Sequence, residues 1–275
     1  MLSSLIDHQR RSVRVVGGVD ALIGRYPDRT AVCKLEERDG YRMRFVRGGQ
    51  GCEGVILNTG GGVVAGDRVH HRIAASERAD VTITTTAAER VYRSDGFPAQ
   101  IRITLAVAAK AALAWLPQET ILYSHARLDR AFDVDVATDA SLLVAEVTVF
   151  GRKAMGEVLT HGEWTERWRV RRAGRLIFAE NIGMHGDICN LLARKAIGAG
   201  ADNIATMLFV ATDAEIRLNA VREAIADASC AIGVSAWNGL LCVRAMGDDL
   251  AALRRSLALA VVALRGVAMP RVWQL

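Results

Sequence analysis

The sequence predicts a mainly β protein, either stacked β-strand units in a superhelix or a sandwich-like pair of sheets, with two C-terminal α-helices packed on the sheet body. Three observations carry this. Between residues 69 and 146 one plan recurs three times: an alternating strand, a polar turn opening on Ala, and a second strand ending near a Glu. Runs such as Ile101-x-Ile103-x-Leu105-x-Val107 alternate with period two, which places one face on a core and the other in solvent. Helical spacing appears only after residue 212.

The three units are VHHRIAASERADVTITTTAAE from Val69, IRITLAVAAKAALAWLPQE from Ile101 and FDVDVATDASLLVAE from Phe132. Their turn alanines, Ala79, Ala111 and Ala140, lie 32 and 29 residues apart. A repeat of that size suits stacked units that cannot bury a face alone; an antiparallel sandwich of similar hairpins is the alternative. The first 56 residues read as short strands and turns. Strand pattern resumes through Trp164, Trp168 and Val170, and again over Arg175–Phe178. Residues 213–227 then carry Ile216, Val221 and Ile225 near helical spacing, with Thr212 or Asp213 as N-cap. Residues 248–264 do the same with Leu250, Leu253, Leu257 and Val261. Between them WNGLLCVRA, 237–245, reads as a strand with a turn, and Trp273 is expected to order the tail. One domain over 1–275 is expected, with a β body over 1–205 and a helix-containing part over 206–275.

Of the 275 residues, 51% are hydrophobic and 24% charged, as in a globular chain rather than a disordered one. Aromatics are scarce, so small and β-branched side chains fill the core. The net charge of +5 comes mostly from Arg, with clusters at Arg10-Arg11, Arg42-Arg44-Arg47 and Arg167-Arg169-Arg171-Arg172. None is a run of five, so nucleic acid is not the expected partner, and an acidic protein surface explains the charge as well. Five scattered cysteines form no CxxC pair, which points to a reducing compartment. The N-terminus lacks the apolar stretch of a signal peptide, and the apolar run Leu257–Leu264 is too short to span a bilayer. A soluble cytoplasmic protein without nucleic-acid or membrane partners is expected.

The chemistry-bearing residues are few. Gly60-Gly61-Gly62 followed by Gly66-Asp67 invites comparison with nucleotide loops. It lacks the Gly-Lys-Ser/Thr of a phosphate loop and the spacing of a dinucleotide fingerprint, a strand follows instead of a helix, and Asp67 would repel phosphate. A tight turn remains, in which Asp67 either binds loop amides or is presented for use. Glu119 follows the bend at Pro117 and reads as a loop acid or a hard-ligand donor. Glu146 interrupts the apolar strand LLVAEVTVF, and on the core face it must be paired or neutralised. Glu157 follows the loop 151–156 as a surface acid or ion-pair partner. His70 and His71 point to opposite faces of a strand and cannot chelate together. His185-x-x-x-Cys189 would suit a soft metal only on a helix, which Gly183 and Gly186 oppose. No serine is framed as a nucleophile elbow.

Taken in order, GGGVVAGDR, TTTAAERVYRS, WLPQETILY and GRKAMGE resemble the urease accessory protein UreD (UreH) family over residues 40 to 275, including the closing Pro-Arg-Val-Trp. The resemblance implies a non-enzymatic, mostly β scaffold with C-terminal helices, acting in assembly of the nickel metallocentre of urease. It implies three partners: apo-urease, a helical adaptor and, through the adaptor, a GTPase. No stably bound cofactor is implied, only transient Ni²⁺. The family's motifs fall on Asp67; on Tyr92, Arg93 and Ser94; on Glu119; and on Gly151, Arg152 and Glu157. Asn58-Thr59 stand where the family often has proline, and Ala114 where it often has an acid. Nickel in transit needs weak, exchangeable ligands, and Asp67, Ser94, Glu119 and Glu146 are the candidates to line its route. The two C-terminal helices are expected to dock the adaptor. Two other readings compete: a small β-domain enzyme using Glu119 or Glu146 as general acid/base, and a structural β-repeat module.

Overall fold

The computed structural model describes residues 14–46 and 51–273, so Arg10, Arg11 and Arg47 of the predicted basic clusters lie outside the described residues. The chain opens with strands β1 Val16–Arg25, β2 Thr30–Arg38, β3 Tyr41–Val46, β4 Cys52–Asn58, β5 Arg68–Ala75 and β6 Asp80–Thr85. It continues with β7 Glu89–Val91, β8 Ala99–Val107, β9 Ala112–Trp115, β10 Thr120–Leu122, β11 Arg127–Val136 and β12 Ser141–Phe150. Then come β13 His161–Arg172, β14 Arg175–Asp187, helix α1 Ile188–Ala193, β15 Asn203–Val210 and helix α2 Leu218–Ala224. The hairpin β16 Ala231–Trp237 and β17 Leu240–Gly247 leads to helix α3 Leu250–Arg265.

Two sheets face each other. The first runs β14-β13-β11-β8-β5-β1-β2 and the second β16-β17-β15-β12-β9-β6-β4-β3, with β7 and β10 pairing beside β12. The three sequence units are successive coils: β5, β8 and β11 lie side by side and parallel in the first sheet, β6, β9 and β12 in the second. This decides for the stacked units over the antiparallel sandwich. The turn alanines make the corner. Each donates its N–H back three residues (Ala79 to Ser76, Ala111 to Ala108, Ala140 to Ala137), and each is about 98% buried. Ala112 and Ser141 then bond the carbonyls of Ala79 and Ala111 in the coil below. Only a methyl fits where one corner stacks on the next.

β12 shows how the core divides. Leu142, Val144 and Phe150 point between the sheets, while Leu143, Ala145, Val147 and Val149 lie in a second cluster under α2 and α3. Both faces are covered, so the strand reads as an apolar run. Helix α3 follows from its sequence. Asp249 Oδ1 accepts the N–H groups of Ala251 and Ala252, Gly266 closes the helix at φ +67°, and Leu253, Leu257, Ala260, Val261 and Leu264 form the buried stripe.

One expectation needs correction. The helix expected over 213–227 is regular only over 218–224: residues 212–217 form turns that bury Ala214 in the helix–sheet cluster but leave Ile216 84% exposed. WNGLLCVRA is, as expected, a strand with a turn: Asn238 and Gly239 take φ of +51° and +75°, the two-residue turn between β16 and β17 that matches strand twist. The short α1 was not anticipated. Gly186, at φ +83° just before the last residue of β14, turns the chain so that Asp187 caps the helix through the Asn190 N–H, and His185 and Cys189 sit on different elements. No helix among the described residues is long and apolar enough to cross a membrane.

Candidate functional site

Where coil corners stack on the opposite side, the sequence motifs meet. Tyr92 N–H bonds the Val63 carbonyl, Tyr123 N–H that of Val91, and Gly151 N–H that of Leu122. Residues far apart in sequence therefore stand in one column. The Tyr92 and Tyr123 rings meet edge to face at 5.0 Å, and the Arg152 guanidinium lies 4.1 Å from the Tyr123 ring centre. Arg152 Nε donates to Glu157 Oε2 at 2.5 Å, and Glu157 Oε1 accepts Ser124 N–H at 3.3 Å. That guanidinium holds the Glu157 carboxyl below its ordinary range. Beside this column opens a groove of about 740 Å³, lined among others by Arg90, Ile121, Tyr123, Arg152, Met155 and Leu250 at the start of α3. Arg93 and Ser94 do not join it. Arg93 pairs with exposed Asp95 at 3.1 Å, and buried Ser94 donates to the Phe97 carbonyl at 2.9 Å, shaping its turn.

Asp67 is 2% exposed, and its two oxygens accept the N–H groups of Val15 and Val64, each at 2.9 Å. It clasps the glycine turn to the start of β1. Glu119 is ion-paired with Arg254 of α3, whose guanidinium lies 4.6 Å from the Trp273 ring centre. Trp273 Nε1 donates to the Leu116 carbonyl and Gln118 Nε2 to that of Val272. The segment WLPQE is thus the socket for α3 and the tail.

Glu146 takes the core face. It belongs to a buried group that sequence reasoning found only in part: Arg130, Glu146 and Glu166 are each at most 4% exposed. Arg130 donates to Glu146 Oε2 at 2.7 Å, to Glu166 Oε2 at 2.7 Å, and to the hydroxyls of Thr120 and Thr148. The indoles of Trp115 and Trp168 donate to the remaining oxygens of Glu146 and Glu166. Thr206 pairs with Glu146 across β12–β15 and accepts from Arg244, which reaches Glu180 on β14. A file of polar groups therefore runs through the core. Burial pushes the Glu146 carboxyl up to about 7 despite the Arg130 charge. Burial also works against the Arg130 charge, but the two carboxylates outweigh it and hold its pKa above the ordinary value. The signal for the missed partners was present. Arg130 falls at the inward register of Leu128-x-Arg130-x-Phe132, and Glu166 lies between Trp164 and Trp168.

A second, partly buried group was also missed. Glu89 accepts from Tyr41 Oη at 3.1 Å and Asn58 Nδ2 at 2.8 Å, beside His71 whose ring meets Tyr41 edge to face. Burial raises the Glu89 carboxyl to about 7 and lowers His71 to about 3. Among the described residues no group of three or more His, Cys, Asp or Glu is placed to hold a metal ion.

The comparisons agree on one family. Residues 17–274 match the family described as UreD urease accessory protein. The chain is 46% identical over 241 residues, 87% of each chain, to the urease accessory protein UreD of Rhodopseudomonas palustris strain BisB18. It is 45% identical over 244 residues to that of Xanthobacter autotrophicus strain ATCC BAA-1158 / Py2, covering 89% of this chain and 84% of the relative. With that of Methylobacterium sp. strain 4-46 it shares 43% identity over 272 residues, 97% of this chain and 95% of the relative. The chain that folds into these stacked coils belongs to the UreD urease accessory protein family.

Proposed function

We propose that this chain is a non-catalytic assembly factor for urease, acting in the cytoplasm. It receives apo-urease, is joined through a helical adaptor to a GTPase, and hands on Ni²⁺ as cargo without keeping it. The names of its relatives support the role in urease maturation. The observation that carries the scaffold reading is the helical layer. After the inner stripe of α3 is buried, Leu259 and Val262 on its outer side stay 53% and 38% exposed, and Ile216 before α2 and Val267 after α3 stay exposed too. An apolar surface left open on a folded chain is a docking face, and it suits an amphipathic helix of the adaptor.

For the cargo, Glu146 is the best placed of the candidates, because it lies in the file of polar groups between the sheets, whereas Asp67 clasps a turn and Glu119 anchors α3. Ni²⁺ at Glu146 must displace a proton and draw the carboxylate from Arg130. Binding is therefore weak, as transfer requires. Capture of the chain by the adaptor or by apo-urease tests the scaffold role, with Leu259→Asp and Val262→Asp expected to abolish adaptor capture. Undiminished nickel loading of urease by Glu146→Ala would remove that residue from the route, and Asp67→Ala and Glu119→Ala are read in the same way. The proton affinity of Glu146 is what favours the general acid/base reading. Against it, both Glu146 oxygens are engaged, by Trp115 and Arg130, and the side chain is 4% exposed, so a group larger than a single ion does not reach it.

A further inference from the structure

Five strands among the described residues have one strand neighbour, and the chain treats them unequally: the short β7 carries Glu89 and Arg90. β2 carries Lys34, Glu36, Glu37 and Arg38, and β3 carries Arg42 and Arg44. β14 carries Arg175, Glu180 and Asp187, and its ladder with β13 shifts register after Val170. Charge and irregularity are the usual defences against pairing edge to edge. β16, AIGVSAW, has neither. Its seven residues hold no charge and no proline, and it pairs with β17 over its whole length without a register shift. Uncharged, regular segments of this length are the ones that recruit a further strand.

We infer that β16 is an interaction edge whose partner is β16 of a second copy of this chain, antiparallel across a two-fold axis through Val234. The sequence is complementary to itself in that register. Gly233 falls opposite Ser235 and Ala231 opposite Trp237, so each exposed indole covers a methyl group and small residues fill the centre. A Cβ at Gly233 would meet nothing within 4 Å, and Trp237 is 38% exposed, so this row is open to receive a neighbour. On the other face Ile232, Val234 and Ala236 already pack with the helix cluster, and pairing carries that apolar row into the second copy. With no charge in the strand, two copies meet no like-charge repulsion, whereas a charged partner strand would gain nothing here. The contact is isologous and closes on itself as a dimer. It is small, so the dimer is weak and concentration-dependent.

Sedimentation of the full chain over a concentration series is expected to show a monomer–dimer equilibrium. Ser235→Lys and Gly233→Lys set charges opposite one another in the doubly substituted chain and weaken the dimer by about tenfold or more. Val234→Cys, in a chain with Cys33→Ser and Cys189→Ser, places the two thiols on the axis within disulfide reach. It is expected to cross-link to itself under mild oxidation, while Ala231→Cys, displaced to opposite ends of the paired strands, does not. This pair of cysteine variants decides the matter even if the lysine chain fails to fold. A monomer at every concentration with no cross-link at Val234 overturns the inference. Open-ended larger species, or equal cross-linking at Ala231, overturn it as well.

Discussion

At the scale of single residues, the buried Arg130–Glu146–Glu166 group sets the behaviour of the core. Burial, with the nearby Glu166 carboxylate adding to it, outweighs the Arg130 charge, and Glu146 holds its proton up to about 7 against an ordinary value of 4.5. A carboxyl whose pKa is raised on folding favours the folded state below its unfolded pKa, and that contribution is lost as pH rises through 7. Glu146→Gln mimics the protonated form. It should match the parent near pH 4.5 and gain on it by roughly 1–3 kcal/mol by pH 8, read from paired urea titrations across pH. Glu89 contributes with the same sign, and His71, depressed to about 3, with the opposite one, so only the difference between parent and variant isolates Glu146. Arg130→Met removes the partner of both acids and should cost about 3–5 kcal/mol in the same titration at neutral pH. Sequence placed Glu146 in a core strand but not its partners, since Arg130 and Glu166 are 16 and 36 residues from their contacts.

At the scale of elements, α3 has two faces with separate roles. Leu257 is fully buried in the helix–sheet cluster, and Leu257→Ala should cost about 2–5 kcal/mol of stability by thermal or urea unfolding. Val262→Asp on the outer face should stay within about 0.5 kcal/mol of the parent while adaptor capture is lost. Ala111 tests the corner. Its methyl group is packed between stacked turns, so Ala111→Leu should destabilise by about 1–3 kcal/mol through overpacking. Both long elements of this region were legible, α3 from its apolar spacing and the three coils from their alternation and turn alanines. The shortened α2 was not. Its first turn buries Ala214 but finds no surface for Ile216, and propensity with so little packing does not hold a regular helix.

At the scale of the whole molecule, parallel stacking makes the middle coils the most tightly held. β8 and β11 are bonded on both sides over their full length, whereas β2 and β16 have one neighbour each. Native-state hydrogen exchange should therefore be slowest in β8 and β11 and faster in β2. Protection of β16 that rises with protein concentration would report its pairing between copies. The sequence by itself determined the β class, the repeating unit, the helix at the C-terminus and the resemblance to one family, because alternation, turn residues and short motifs are local properties of the chain. Only the tertiary structure decided that the units stack in parallel. It also decided that Asp67 clasps a turn while Glu119 anchors a helix, and that Tyr92, Tyr123, Arg152 and Glu157 stand in one column. Those contacts join residues 29 to 135 positions apart. Which of them form depends on how each coil lands on the one before, and no local pattern encodes that.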